Sequence, residues 1–343
     1  MLSKLLFFSI LSLTIVTISC HTNSNDETEN QQRTDSLLAV INSPELKELN
    51  SKIIENPNEA SLYNERAKIY LKNKQLSDAM YDAKRAIRID SSEALYFITE
   101  ADIFFAANET KKCKDVLENT VKKFPKNTDA LLKLGELYYL VKQYDNAFAK
   151  INDALKQNEN IAKAYYLKGD IYKEIGDTAK SISSYETSIE QDNKQYSAFL
   201  SLGLIYASRK NSIAFEYYNN ALAINPQAID VLYAKAKLLQ DLKKNNEAIA
   251  LYETIIKIDA YQANSMYNIG AIELEQNKNV TKAINWFTKA IEANPKYAEA
   301  YFARGVCYQE LKDRANAKAD FEMCLQLQTN YLPAIEALNE ISK

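Results

Sequence analysis

The sequence predicts an all-α chain built from stacked helix pairs, and three observations carry that expectation. Small residues recur at a fixed period: Ala67, Ala101, Gly135, Gly169, Gly203, Ala236, Gly270 and Gly305 stand 34, 34, 34, 34, 33, 34 and 35 residues apart. Five of the six glycines of the chain fall in this one column. Between the small residues, apolar side chains keep the i, i+3, i+4, i+7 spacing of a helix, with almost none of the alternation of a strand.

The N-terminal segment reads as an address. Residues 1–20 are MLSKLLFFSILSLTIVTISC, with a lone Lys4 before an apolar run from Leu5 to Ile18. That run is shorter than the roughly 20 residues of a membrane-spanning helix and fits a secretory h-region. It resembles a bacterial lipoprotein signal, with Ser19 and Cys20 at the end of a lipobox and Thr17 where Leu is usual. The resemblance implies cleavage after residue 19, acylation of Cys20, and a lipid-anchored protein of a bacterial cell envelope, on the outer membrane. An ordinary cleaved signal and an uncleaved anchor are the competing readings of the segment. Residues 20–34 have no apolar side chain after the cysteine, and are expected to form a disordered tether. Residues 35–59 are read as an N-terminal cap, a half repeat opened by Ser43-Pro44 as N-cap and first turn.

Residues 60–331 hold the repeats. Three residues after the small column, a second one reads Tyr70, Phe104, Tyr138, Tyr172, Tyr206, Leu239, Glu273 and Tyr308. A third reads Ala79, Cys113, Ala147, Ser181, Ala214, Ala248, Ala283 and Ala317; a fourth runs Ala86, Thr120, Ala154, Ser188, Ala221, Ile255, Ala290, Cys324. Each unit is then two antiparallel helices, with small residues allowing close approach and the second-column aromatic filling the wedge between them. Four of the six prolines, at 57, 125, 226 and 295, end a repeat. Ala214 comes one residue early and Ala283 one late, which predicts a shortened inter-helix turn in repeat five and a lengthened one in repeat seven. At Glu273 local re-registration is expected, with Ile272 or Leu274 taking over the packing. Residues 332–343 are expected to cap the array, with Leu332, Ile335, Leu338 and Ile341 on one side.

These columns resemble the tetratricopeptide repeat, whose 34-residue helix-turn-helix carries a W-x2-L-G-x2-Y…A…F…A…P pattern. Eight copies in register cover about four-fifths of the chain. The resemblance implies a right-handed α-solenoid whose first helices line a concave face and whose usual task is to bind other proteins. On that face it places Phe105, Tyr139, Tyr166, Tyr233, Tyr267 and Phe302 as aromatic candidates, edged by Asp102, Glu136 and Asp170. Tyrosine is also the ordinary family residue in the Tyr166 column, so recognition and fold default compete equally there. Lys68 is succeeded at equivalent positions by Asp102 and Glu136, so the family's basic clamp for a C-terminal carboxylate is missing.

Composition narrows the function. Forty-two basic residues face 45 acidic ones, interspersed, so nothing is set up to neutralise phosphates and nucleic acid is not an expected partner. The single histidine, His21, lies in the tail, and the four cysteines lack CxxC spacing. That inventory provides neither a nucleophile with its base nor a metal site, so neither enzyme activity nor any cofactor is expected. Cys307 and Cys324 sit out of register for a disulfide. The reading is a membrane-tethered scaffold for neutral or basic protein segments, akin to periplasmic tetratricopeptide lipoproteins that assist envelope assembly or secretion. Capture of cell-envelope glycans on the tyrosines is the alternative.

Overall fold

The structure, a computed structural model, describes residues 43–341, so Cys20, the signal and the tether lie outside the described residues. Among the described residues there are 18 helices and no strand. A first helix, α1 (Pro44–Glu55), precedes eight pairs. These are α2 (Ala60–Lys72) with α3 (Leu76–Ile89), α4 (Ala94–Ala106) with α5 (Thr110–Lys123), α6 (Thr128–Leu140) with α7 (Tyr144–Gln157), and α8 (Ala162–Glu174) with α9 (Thr178–Gln191). Then come α10 (Tyr196–Ser208) with α11 (Ala214–Ile224), α12 (Ile229–Asp241) with α13 (Asn245–Ile258), α14 (Ala263–Glu275) with α15 (Val280–Ala293), and α16 (Ala298–Glu310) with α17 (Arg314–Leu327). A last helix, α18, spans Leu332–Ile341. Packing divides the chain into two compact units, one ending at Ala130 and one starting at Leu131.

Each pair of the C-terminal unit closes by laying a large side chain of its second helix on the small residue of its first. Tyr185, Tyr218, Phe287 and Phe321 are fully buried, and a Cβ placed on Gly169, Gly203, Gly270 or Gly305 would stand 2.4–2.8 Å from their ring atoms. At Gly135 the same place is held by Ile151, 2.9 Å from such a Cβ. Repeat six reaches the same packing with Ala236 beside Tyr252, so a helix pair can open enough for one methyl group. In the N-terminal unit the small column includes Ala67, which packs with Ala79 and Ala83. The wedge is therefore filled from the second helix, and the second column corrects the expectation: of its aromatics only Tyr138 is buried, while Tyr70, Phe104, Tyr172, Tyr206 and Tyr308 are half-buried.

The turn within seven of the eight pairs is a Schellman motif. The N–H of Gln75, Glu109, Gln143, Asp177, Asn211, Lys244 and Asp313 bonds the carbonyl five residues back, at 2.8–3.0 Å. That carbonyl belongs to the second column, from Tyr70 to Tyr308. The residue before each of these N–H groups is left-handed: Lys74, Asn108, Lys142, Lys210, Lys243 and Lys312 at φ +51° to +62°, and Gly176 at +84°. Repeat seven carries the extra residue of its period in the turn, where Asn279 N–H reaches six back to Glu273. Ile272 takes the core position there, and Glu273, 7% exposed, accepts from Asn277 Nδ2 at 3.1 Å with Lys282 Nζ at 3.9 Å. In repeat five the turn is unchanged and the missing residue comes out of the second helix. Each second helix has 14 residues except α11, with 11, which is preceded by i→i+3 bonds such as Ala214 N–H to Asn211.

Polar bonds tie one repeat to the one before. Arg66 bonds Asn50 of α1 at 2.7 Å, and 16 residues again separate the partners in Lys168 with Asn152, Lys235 with Asn219, and Arg304 with Thr288. Helix α1 thus behaves as the second half of a repeat. Arg66 and Arg304 also clasp Asp82 and Asp320 through two N–H groups each, at 2.6–2.8 Å. Between pairs, Asp90, Asn158, Asp192, Asn225, Asp259 and Asn294 each accept the N–H two residues on, a local bond that shapes the turn with or without proline.

The C-terminal helix corrects its expected face. Ala334 is fully buried, with Ala337, Leu338 and Ile341 packed on the same cluster, while Leu332 is 67% exposed. The buried face keeps the i, i+3, i+4, i+7 spacing rather than strict threes. Cys113, Cys307 and Cys324 are buried.

The closure and the turns each make a stability prediction. Gly203→Ala should lower unfolding free energy by about 1–3 kcal/mol in denaturant titration, through overpacking on Tyr218. Gly176→Ala should cost about 1 kcal/mol, whereas Lys142→Gly should add roughly 0.5–1 kcal/mol, because a left-handed side chain costs more than the backbone entropy of glycine.

Candidate functional site

The first helices present the surface on which the sequence placed its candidates, and the two units carry separate parts of it. In the N-terminal unit, Phe105 on α4 is 46% exposed and Asp102, one turn earlier, is half-buried. In the C-terminal unit, Tyr166, Tyr233, Tyr267 and Phe302 are all half-buried, each three residues before the small column. Their rings cover the buried rings of their own repeats: Tyr166 over Tyr185, Tyr233 over Tyr252, Tyr267 over Phe287 and Phe302 over Phe321, with centroids 5.5–5.7 Å apart. Two also touch an aromatic just before the first helix of the following pair or the last helix, Tyr267 against Tyr297 and Phe302 against Tyr331, each at 5.2 Å. Tyr233 is anchored at its tip, where its hydroxyl accepts from Asn268 Nδ2 at 2.8 Å. This column therefore helps hold the stack together and shows only its edges to solvent.

The carboxylates are likewise partly engaged. Asp170 accepts the Tyr185 hydroxyl at 2.5 Å and a hydrogen bond from Tyr166. Burial pushes the Asp170 carboxyl up, against the lowering effect of those two hydroxyls. Glu136 pairs with Lys163 at 2.8 Å, and Asp230 accepts the Tyr196 hydroxyl. Tyr139, half-buried, is pushed up to about 12 by burial and by the charges of Asp170 and Glu174, so it remains a neutral donor at any physiological pH. Exposed acids such as Glu174, Asp241 and Glu310 keep an acidic edge.

Within this surface lies a cleft of about 520 Å³ between α10 and α12. Its walls are Leu200, Leu204 and Ala207 on one side and Tyr233 and Leu238 on the other, with Tyr218 lining it and Asp230, Lys237 and Asp241 at the edge. Leu204, 46% exposed, is the most accessible large apolar side chain among them. Tyr233 is the one predicted aromatic that the cleft gathers; Leu200, Leu204, Ala207 and Tyr218 are not among the sequence-based candidates. A signal for them existed. The position after the small residue reads Lys68, Asp102, Glu136, Asp170 and then Leu204, so the charged series breaks at repeat five. In the N-terminal unit, a second cleft of about 340 Å³ lies between α1 and α2, lined chiefly by charged side chains such as Glu45, Glu65 and Lys68, with Lys52 and Glu48 paired at 2.7 Å.

Comparison with known proteins agrees with this geometry. Family models described as tetratricopeptide repeat match residues 98–164, 162–195, 233–298 and 286–320, together more than half of the chain. A DnaJ homolog subfamily C member 7 homolog from Schizosaccharomyces pombe is 25% identical over 261 residues, covering 70% of this chain and 54% of that protein. The BBSome complex member BBS4 of Bos taurus is 23% identical over 258 residues, covering 65% and 49%. The chain thus spans about half the length of these curated relatives. Among solved structures, the C-terminal part of a TPR repeat-containing protein from Cytophaga hutchinsonii superposes with a TM-score of 0.60 at 17% identity, over 70% of this chain and 99% of that one. Period, helix pairing and family match agree: this chain belongs to the tetratricopeptide repeat family.

Proposed function

We propose that this chain is a lipid-anchored adaptor of a bacterial cell envelope that takes up a neutral or basic protein segment along its first helices. That tetratricopeptide repeats form protein-interaction scaffolds is the general property of the family; the anchor, the compartment and the groove are the specific part of the proposal. The observation that carries the groove is the cleft between α10 and α12, an apolar recess in a stack whose other first-helix aromatics are committed to packing. Apolar walls supply contact area, and the acidic edge disfavours acidic partners. Such a groove assembles other proteins and transforms none of them, so the proposal is non-catalytic.

Two measurements test it. Leu204→Glu introduces a charge at an exposed position, so it should leave the melting temperature within about 2 °C while lowering affinity for bound peptide segments about tenfold or more. Unchanged binding of an array of immobilised peptides by that variant would remove the groove. For the anchor, Cys20→Ala should move the protein from the membrane fraction to the soluble one, since stable attachment takes more than one acyl chain. Retention of the variant in membranes would rule out acylation as the attachment.

A further inference from the structure

We infer that the cleft between α10 and α12 reads a side-chain amide: the Tyr218 hydroxyl is placed to donate a hydrogen bond to the carbonyl of an Asn or Gln in the bound segment. The inference rests on the groove reading above and names what the groove selects.

The reason lies in three tyrosines at one repeat position. Tyr185, Tyr218 and Tyr252 all lie fully buried against the small residue of their first helix. The Tyr185 hydroxyl donates to Asp170, the residue after Gly169. The Tyr252 hydroxyl donates to Gln240 Oε1 at 3.2 Å, four residues after Ala236. In repeat five the corresponding residues are Leu204 and Ala207, and neither side chain has an acceptor. The Tyr218 hydroxyl is buried and, among the described residues, has no hydrogen-bond partner. A buried, unpaired donor destabilises the protein that holds it, and native structures keep few of them. This one belongs to a ring that lines an open recess.

The chemistry of the missing partner can be read from the rest of the cleft. Tyr218 brings to the lining a donor without a partner, and burial keeps that phenol protonated. The edge carries two carboxylates, Asp241 and Asp230, the latter already accepting the Tyr196 hydroxyl, and one cation, Lys237, whose Nζ lies 3.5 Å from Gln240 Oε1. A primary amide matches both, because its oxygen accepts from Tyr218 while its NH2 group donates outward to the edge. A guest carboxylate would meet two like charges, Asp230 and Asp241, against the single cation of Lys237. An apolar side chain would leave the hydroxyl unpaired. The protein already uses this pairing once, with its own Gln240 on Tyr252. Because the hydroxyl is buried, the inference includes movement of the cleft wall on binding, for which Leu204, 46% exposed, is the accessible large side chain.

The test uses full-length protein and an array of immobilised short peptides with randomised flanks, in which one position is fixed as Gln, Asn, Glu, Met or Leu. Wild type should retain Gln- and Asn-fixed peptides roughly three- to tenfold more strongly than Met-, Leu- or Glu-fixed ones. Tyr218→Phe keeps the ring on Gly203 and should abolish that preference while still holding the Leu-fixed peptides. Ala207→Gln, which recreates the Gln240 arrangement inside the chain, should also abolish it. Because the hydroxyl is unpaired in the free protein, Tyr218→Phe should leave the melting temperature unchanged or raise it, whereas Tyr252→Phe should lower it. Signals equal across the fixed residues overturn the inference, as does an amide preference that survives Tyr218→Phe. If binding is amide-blind yet lost in Leu204→Glu, the groove stands and only the amide assignment falls; if no peptide binds, both fall. Self-association of wild type that Tyr218→Phe removes would give the cleft to a second copy of the chain and overturn the assignment.

Discussion

The structure depends on one contact, a side chain of the second helix lying on the first helix where the first has little or no side chain of its own. Helix separation is set by what stands between the axes, and ordinary packing keeps them about 8–10 Å apart. Taking away the Cβ lets a whole ring lie on backbone, and the pair closes around a flat, incompressible object. Four glycines of the C-terminal unit meet such a ring, and Gly135 meets the narrower Ile151. At Gly169 and Gly305 the neighbours of the glycine then cover the ring and tie the repeats. The aromatic three residues before the glycine lies over the buried ring, and the residue immediately before the glycine reaches back to the preceding repeat.

This arrangement changes what the first-helix aromatics mean. By sequence, a stripe of Tyr166, Tyr233, Tyr267 and Phe302 fits a binding surface as well as it fits a structural column. The rings beneath them decide for structure as the common denominator, since each covers a buried ring of its own repeat. On the proposed reading, recognition is concentrated where the column departs from its pattern. Leu200 replaces the aromatic in repeat five, and a recess opens beside it. The carboxylates behave the same way: Asp170 and Glu136 answer to groups of their own chain, so the charge preference proposed for the groove falls to exposed acids such as Asp241.

Much of the fold is legible in the sequence because it is written in residue size. Gly169, Gly203, Gly270 and Gly305 mark a place where nothing else fits well, and a period of 34 locates every pair. The displaced alanines of repeats five and seven announce a change in length, although only repeat seven puts it in the turn. Other features are illegible for physical reasons. Six lysines and an asparagine adopt the left-handed backbone of the turns, where only Gly176 gives a signal. Tetratricopeptide spacing alone does not say which aromatic is buried, because both columns face inward on different helices. The face of the last helix is hidden because Ala334, a small residue, makes the buried contact while the larger Leu332 does not. The candidate site is the least legible, since it is defined by a hydroxyl that lacks a partner, and a missing contact leaves no motif.

In a stack of near-identical units, the period specifies the scaffold and the departures from it carry the individuality. Three departures meet in repeat five. Its second helix is three residues shorter than the others, its ring makes the closest approach to glycine, 2.4 Å from the position of a Cβ, and its first helix replaces the acceptors of the neighbouring repeats with Leu204 and Ala207. The ring of Tyr218 is seated on Gly203, and its hydroxyl has no hydrogen-bond partner among the described residues. The lost acceptors leave that hydroxyl beside an apolar recess. A drifting repeat would be expected to lose the hydroxyl, since Phe287 and Phe321 do the same packing without one. Keeping tyrosine there while removing both of its in-chain acceptors is an arrangement that stability alone does not favour, and it gives the amide-reading role its physical basis.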